Sequence, residues 1–245
     1  MERKKFLRNS LGILSLATLV DACKKSDITD VDSSGTVTGT GTGTGGCVVS
    51  PTETEGPYPY PGGELTNPLQ RADITAGQTG VPLALTFNVV NVNASCAIVS
   101  NARVDIWQCN KDGYYSGYAN QPGYLGTQSF TGQTFLRGYQ LTDTSGNALF
   151  NTIYPGWYSG RATHIHIEVY VNNVLKKTTQ ITFSETISNT VHQSTLYAAH
   201  GVNTMSNAAD GIFGNSVSDL ANETVALTGS VAAGYAGTHT IGIAL

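Results

Sequence analysis

Charge is scarce in this sequence. Asp, Glu, Lys and Arg make up 12% of its 245 residues, and the formal net charge is −4. No basic stripe follows the N-terminal leader, so the electrostatic footprint of a nucleic-acid-binding protein is missing. No Cys-x-x-Cys pair occurs among the four cysteines, which argues against a thiolate metal site. Long apolar runs are also missing: the stretch from Leu11 to Val20 is too short to serve as a permanent membrane span.

What is there begins with an address. A positive start (Arg3, Lys4, Lys5, Arg8) ahead of that short run reads as an export signal over residues 1–22. The stretch Val20-Asp21-Ala22-Cys23 resembles a bacterial lipoprotein processing site, which would leave Cys23 as a lipidated N-terminus. Residues 23–46 are polar and then almost wholly Gly and Thr, so they are expected to form a flexible tether. The expected location is outside the cytoplasm, on a membrane anchor at the periplasmic or outer-membrane face, or otherwise secreted. Without the leader, nine basic residues face fifteen acidic ones, so membrane contact is expected only through the lipid on Cys23. Cys47, Cys96 and Cys109 then remain; one pair can close a disulfide, and the sequence leaves open which.

From Cys47 to Leu245 the chain reads as a single folded domain. Residues Thr54 to Gly63 carry too many Pro and Gly for a central strand or a helix and are expected to form an arm. Eight β-rich runs bounded by Gly, Asn, Asp or Pro follow: Pro82–Val92, Ala102–Gln108, Arg137–Leu141, Ala148–Ile153, His164–Val171, Val174–Phe183, Thr224–Val231 and Thr238–Leu245. They predict an all-β fold, a β-sandwich with long loops and little helix. Residues 192–222 are expected to be a mostly irregular excursion with a helical turn.

The chemistry concentrates on His164-Ile165-His166. Strand side chains alternate faces, so both imidazoles project to one side, about 6.5–7 Å apart at the backbone. Ile165, Ile167, Val169 and Val171 take the other side as a core face. Two rings so placed can converge on one metal, although His-x-His alone also fits a cross-strand polar pair. Just upstream, Pro155-Gly156 turns the chain and brings Tyr158 towards the histidine strand, while Val104 to Gln108 runs into a Gly turn presenting Tyr114 and Tyr115. Tyr114 and Tyr118 compete with Tyr115, because a one-residue slip changes the face a side chain takes. His192, His200 and His239 lack partners at ligand spacing and read as structural.

Five segments together resemble the intradiol ring-cleaving dioxygenases, the catechol- and protocatechuate-cleaving family. They are Ala102 to Gln108, Gly113-Tyr114-Tyr115-Ser116, Thr142 to Gly146, Thr152 to Tyr158, and Arg161 to His166. The Thr54-Glu55-Gly56-Pro57-Tyr58 arm is similar to an exported, single-chain branch. The resemblance implies Fe(3+) held by Tyr115, Tyr158, His164 and His166, with a small aromatic diol and dioxygen as substrates. It implies that Arg161 and Gln180 bind substrate, that Tyr158 leaves the metal when the diol chelates, and that Arg161 stabilises charge developing on the ring.

A phenol is a poor ligand until a strong Lewis acid displaces its proton, and ferric iron favours anionic oxygen donors. The residues therefore suit the implied metal. Only two residues separate Tyr158 from Arg161, so a wall that a longer loop supplies in relatives is missing, and a bulkier or more exposed diol can be accommodated. Two rival readings exist. Asp143 to Gly146 and Pro155 to Tyr158 also resemble transthyretin-like sandwich modules that bind without catalysis, or a dioxygenase that has lost turnover. A zinc or copper hydrolase would use the histidines and leave the tyrosines unexplained.

Overall fold

The computed structural model describes residues 47–245, so the signal and tether readings at 1–22 and 23–46 lie outside the described residues. Among the described residues ten strands make two sheets. One sheet contains β1 (Pro82–Asn91), β2 (Ala97–Ile98), β5 (Asn147–Ile153), β9 (Leu227–Ser230) and β10 (Gly234–Ile243). The other runs in the order β4 (Arg137–Leu141), β3 (Arg103–Trp107), β6 (His164–Val171), β7 (Val174–Phe183) and β8 (Thr224–Val225). The expected β-sandwich is what forms, with two short helices, α1 (Glu185–His192) and α2 (Val217–Glu223).

Alternation decides which faces meet. Leu83, Leu85, Phe87 and Val89 of β1 share one buried cluster with Val104 and Ile106 of β3, Ile165, Ile167 and Val169 of β6, and Ile181 and Phe183 of β7. Strand β6 is buried along nearly its whole length, on both faces. Its isoleucines fill the sandwich, and His164, His166 and Glu168 lie on the outer face, under cover of loops and the N-terminal arm. The arm is pinned along β7: Glu53 N–H donates to Thr178 O at 3.0 Å, and Lys177 Nζ donates to Ser50 O at 2.7 Å.

Two expectations about elements need correction. The run Thr224–Val231 is two strands in different sheets, because Thr224–Val225 pairs in parallel with Thr182–Phe183 while Leu227–Ser230 pairs antiparallel with β10. A uniformly β-rich composition does not record a change of sheet. The last strand begins at Gly234 rather than Thr238; Gly234 and Gly237 imitate a turn, yet Tyr235 to Ile243 stay in register with Leu83 to Asn91. The excursion after His192 contains 3-10 turns at Asn207–Ala209 and Phe213–Asn215 before α2, and α1 precedes it.

Cys47 and Cys96 form the disulfide, with Cα atoms 5.6 Å apart, and Cys109 is free and buried. Burial pushes the Cys109 thiol up to about 12, which makes it a poor nucleophile. The bridge ties the start of the arm to the turn after β1 across a sequence separation of 49. Cys47→Ser with Cys96→Ser is expected to lower unfolding stability by about 2–4 kcal/mol, checked by urea denaturation of both proteins under oxidising conditions.

Candidate metal centre

The histidine strand sits between two strands whose register builds a row. Trp107 of β3 and Gln180 of β7 are the direct neighbours of His166. Trp107 stacks flat on the His166 ring, with centroids 5.0 Å apart and planes 6° from parallel. His164 is fixed differently: its Nδ1 lies 2.6 Å from Ala162 O. Donation of Nδ1–H to that carbonyl leaves the Nε2 lone pair facing the His166 Nε2, 3.1 Å away.

The tyrosines arrive on two loops that touch backbone to backbone. Gly113 has φ +86, and a Cβ there would lie 2.2 Å from Trp157 O, so only glycine allows the loop carrying Tyr115 to cross the loop carrying Tyr158. The side-chain amide of Gln121 then clamps the Tyr115 backbone, accepting from the Tyr115 N–H at 2.7 Å and donating to the Tyr115 carbonyl at 2.7 Å. Arg137, buried beneath, donates to the Ser116 hydroxyl and carbonyl at 3.0 and 2.9 Å. The rivals point elsewhere: Tyr114 donates to Gly126 O and Tyr118 to Pro59 O.

Four donor atoms consequently converge. Tyr115 Oη is 3.3 Å from His164 Nε2 and 3.1 Å from His166 Nε2, and Tyr158 Oη is 3.5 Å from His164 Nε2. Donors that share one small ion at bond lengths of about 2.0–2.2 Å lie roughly 3.3 Å from one another, so this spacing fits a common metal. Among the described residues no three His, Cys, Asp or Glu side chains come together as a metal group. A metal with four protein donors here would therefore need the phenols, which the hydrolase reading does not use.

The electrostatics agree with that donor set. Burial, followed by the nearby Arg161 charge, pushes His164 down to about 3, and burial with His164 and Arg161 holds His166 well below its usual range, so both rings are neutral, the form in which an imidazole can ligate a metal. Burial also raises Tyr158 to about 12 and holds Tyr115 well above the usual phenol range. Phenols so placed become phenolates only beside a strong Lewis acid.

Arg161 borders the cluster. Its Nη1 is 3.4 Å from Tyr158 Oη, its Nε donates to Asp210 Oδ2 at 2.9 Å and its Nη2 donates to Gln180 Oε1 at 2.7 Å. Burial opposes its charge, but Tyr158 and Asp210 outweigh that and raise its pKa. Gln180 is anchored in turn by donating to Thr54 O at 2.8 Å. The arm continues over the site: Gly56, at φ +73, lies so close that a Cβ would meet His166 Cε1 at 2.8 Å, and Tyr58 stacks on Tyr115 with centroids 4.7 Å apart.

All six sequence-predicted residues are brought together. His192 and His239 stand apart, His192 lying 3.2 Å from Pro155 O through Nε2 and His239 packing edge-on against Phe87. Sequence reasoning missed the parts played by Tyr58, Trp107, Gln121, Arg137 and Asp210. Trp107 could have been found from strand register with His166. Asp210 gave no signal, because it lies in an excursion with no periodicity.

A family model described as Dioxygenase matches residues 54–214. An intradiol ring-cleavage dioxygenase from Tetranychus urticae is similar in structure, at 29% identity and a TM-score of 0.71, over 81% of this chain and 95% of that one. The dioxygenase domain of a dioxygenase and carbohydrate-binding protein fusion from Streptomyces sp. SirexAA-E is similar at 23% identity and a TM-score of 0.57, over 81% of this chain and 99% of that one. A 3-chlorocatechol 1,2-dioxygenase from Rhodococcus opacus 1CP shares the fold at 18% identity and a TM-score of 0.54, over 80% and 72%. No curated protein sequence matches the chain. Because the matched span contains the four converging donors together with Arg161, Gln180 and Asp210, the family assignment and the geometry describe the same place, and the chain belongs to the intradiol ring-cleavage dioxygenase family.

Proposed function

We propose that this protein is a ferric-iron dioxygenase that opens a catechol-type ring between its two hydroxyls, adding both atoms of dioxygen to give a muconate-type dicarboxylate. The convergence of Tyr115, Tyr158, His164 and His166 carries the reading. Fe(3+) held by these four residues would supply a hard Lewis acid that binds the diol oxygens and makes the ring electron-rich.

The two tyrosines are not equivalent. Tyr115 is fully buried, clamped through its backbone by Gln121 and covered by Tyr58, so it is the fixed donor. Tyr158 is half-buried and borders an open cleft. Held as a phenolate, its oxygen would be the group placed to take a proton from an incoming diol, with Arg161 Nη1 beside it to stabilise the negative charge left on the substrate. Gln180 uses its amide on Arg161 and on Thr54, so its part in substrate binding is to aim the guanidinium. Export is part of the same proposal: the Cys47–Cys96 disulfide suits an oxidising compartment, and the leader with Cys23 would supply a lipid anchor.

Purified protein is expected to be red to burgundy from tyrosinate-to-iron charge transfer, and Tyr158→Phe is expected to shift or remove the band. Oxygen uptake with a panel of catechols should yield ring-opened dicarboxylates. A colourless protein holding stoichiometric zinc would overturn the iron assignment. Bound iron with no oxygen uptake on any catechol would favour the non-catalytic sandwich reading.

A further inference from the structure

On the solvent side of Tyr158 the loops leave a cleft of about 640 Å³. It is far larger than one ring needs, and falls within the range of roughly 300–1,000 Å³ that encloses drug-sized ligands. Tyr158, one of the four donors, and Tyr58, which packs edge-on against it, both line the cleft, so it is continuous with the proposed site rather than a second one. Tyr124, Trp157 and His200 add three further flat side chains to its lining.

These walls are differently held. Trp157 is fixed, since its Nε1 donates to Gly201 O at 2.9 Å and His200 packs edge-on against it with centroids 4.2 Å apart. Tyr124 stands at the rim with 72% of its surface exposed, 6.0 Å from the Trp157 ring and 5.7 Å from His200. A tyrosine left this bare beside an aromatic cleft gains little from the fold. The part of its ring not against Trp157 and His200 can be covered only by something that enters.

We propose that the cleft is a subsite for a second aromatic ring, so that the preferred substrate is a diol ring bearing an aryl substituent, which lies against Tyr124 and Trp157 while the diol passes Tyr158. This deepens the dioxygenase reading and rests on it for the placement of the diol. The short connection from Tyr158 to Arg161 leaves the mouth unobstructed. The two flat side chains select for planarity in the substituent.

Two measurements test it. The first needs no turnover: quenching of tryptophan fluorescence on the intact protein by 4-phenylphenol, 4-cyclohexylphenol and phenol, none of which has two adjacent hydroxyls to be cleaved between. 4-Phenylphenol is expected to bind at least about tenfold more tightly than the equally bulky but non-planar cyclohexyl compound, and Tyr124→Ala is expected to remove that preference. Equal binding of the two in the native protein, or a preference that survives Tyr124→Ala, overturns the subsite.

The second is the ratio of kcat/KM for 4-phenylcatechol to that for catechol, expected to fall about tenfold in Tyr124→Ala, mainly through KM. Catechol turnover with an unchanged ratio overturns the subsite and leaves the dioxygenase reading standing. A planar-ring preference in binding with no diol turned over supports the subsite and overturns the dioxygenase reading alone.

Discussion

His166→Ala is expected to give a protein that folds but holds less than about a tenth of the iron of the native chain, with kcat/KM on catechol reduced by about 10³-fold or more. His166 lies at the middle of the cluster, with its Nε2 3.1 Å from both Tyr115 Oη and His164 Nε2. Its strand neighbours on that face cannot take its place, because the indole N–H of Trp107 has no lone pair to give and the amide of Gln180 is engaged by Arg161 and Thr54. The loss of the ring from under Trp107 leaves a cavity, which is expected to cost about 2–4 kcal/mol. His166→Gln fills more of that volume and is expected to lose iron equally while melting closer to the native protein. His192→Gln provides the contrast: this histidine is equally buried but meets Pro155 O instead of the donors, so iron content should stay native. Iron per chain by atomic absorption, together with oxygen uptake, decides the matter. Iron retained at native stoichiometry in His166→Ala would remove His166 from the metal centre.

How much of this was readable beforehand depends on whether the signal is local. Strand alternation placed His164 and His166 on one face and Ile165 and Ile167 on the other, and both placements hold because one strand fixes them together. The choice of Tyr115 over Tyr114 and Tyr118 came from a motif and not from physics. The structure supplies the physical reason in Gln121, Arg137 and the crossing at Gly113, which are separated in sequence and meet only in the fold. The split of Thr224–Val231 between sheets was illegible for a related reason, since β-propensity reports extended backbone and not the identity of the partner strand. The arm is intermediate. Its prolines and glycines excluded a helix, but nothing in them told that Gly56 would close over His166 or that Thr54 would hold Gln180.

Asp210→Ala is expected to be the most damaging single change outside the metal donors, in stability and in turnover together. The Asp210 side chain is fully buried and accepts from four groups: Arg161 Nε and Ala162 N–H on one oxygen, Ile212 N–H and Phe213 N–H on the other. Removing it leaves a largely buried guanidinium without its counter-ion and three backbone donors without an acceptor, for which about 3–5 kcal/mol is the expected loss. In a domain of this size that corresponds to a fall of roughly 10 °C in Tm. Asp210→Asn keeps one acceptor oxygen and should lose less. The pH dependence has a definite sign. Burial raises the Asp210 pKa, but donation from Ala162 N–H and the Arg161 interaction lower it further, leaving the folded value below the ordinary one. The stabilisation from Asp210 is therefore present above the ordinary carboxylate range and lost as pH falls through the depressed folded value, and the alanine variant should lack this acid-side dependence. Activity separates positioning from metal binding. Asp210 touches none of the four donors, so colour and iron content should survive in the variant at low temperature, while kcat/KM falls about 10–100-fold because Arg161 is no longer aimed at Tyr158. If the variant loses its iron while still folded, Asp210 supports the metal itself; if it keeps both iron and rate, the Arg161–Asp210 pair is structural and the charge on Arg161 stabilises nothing in the reaction.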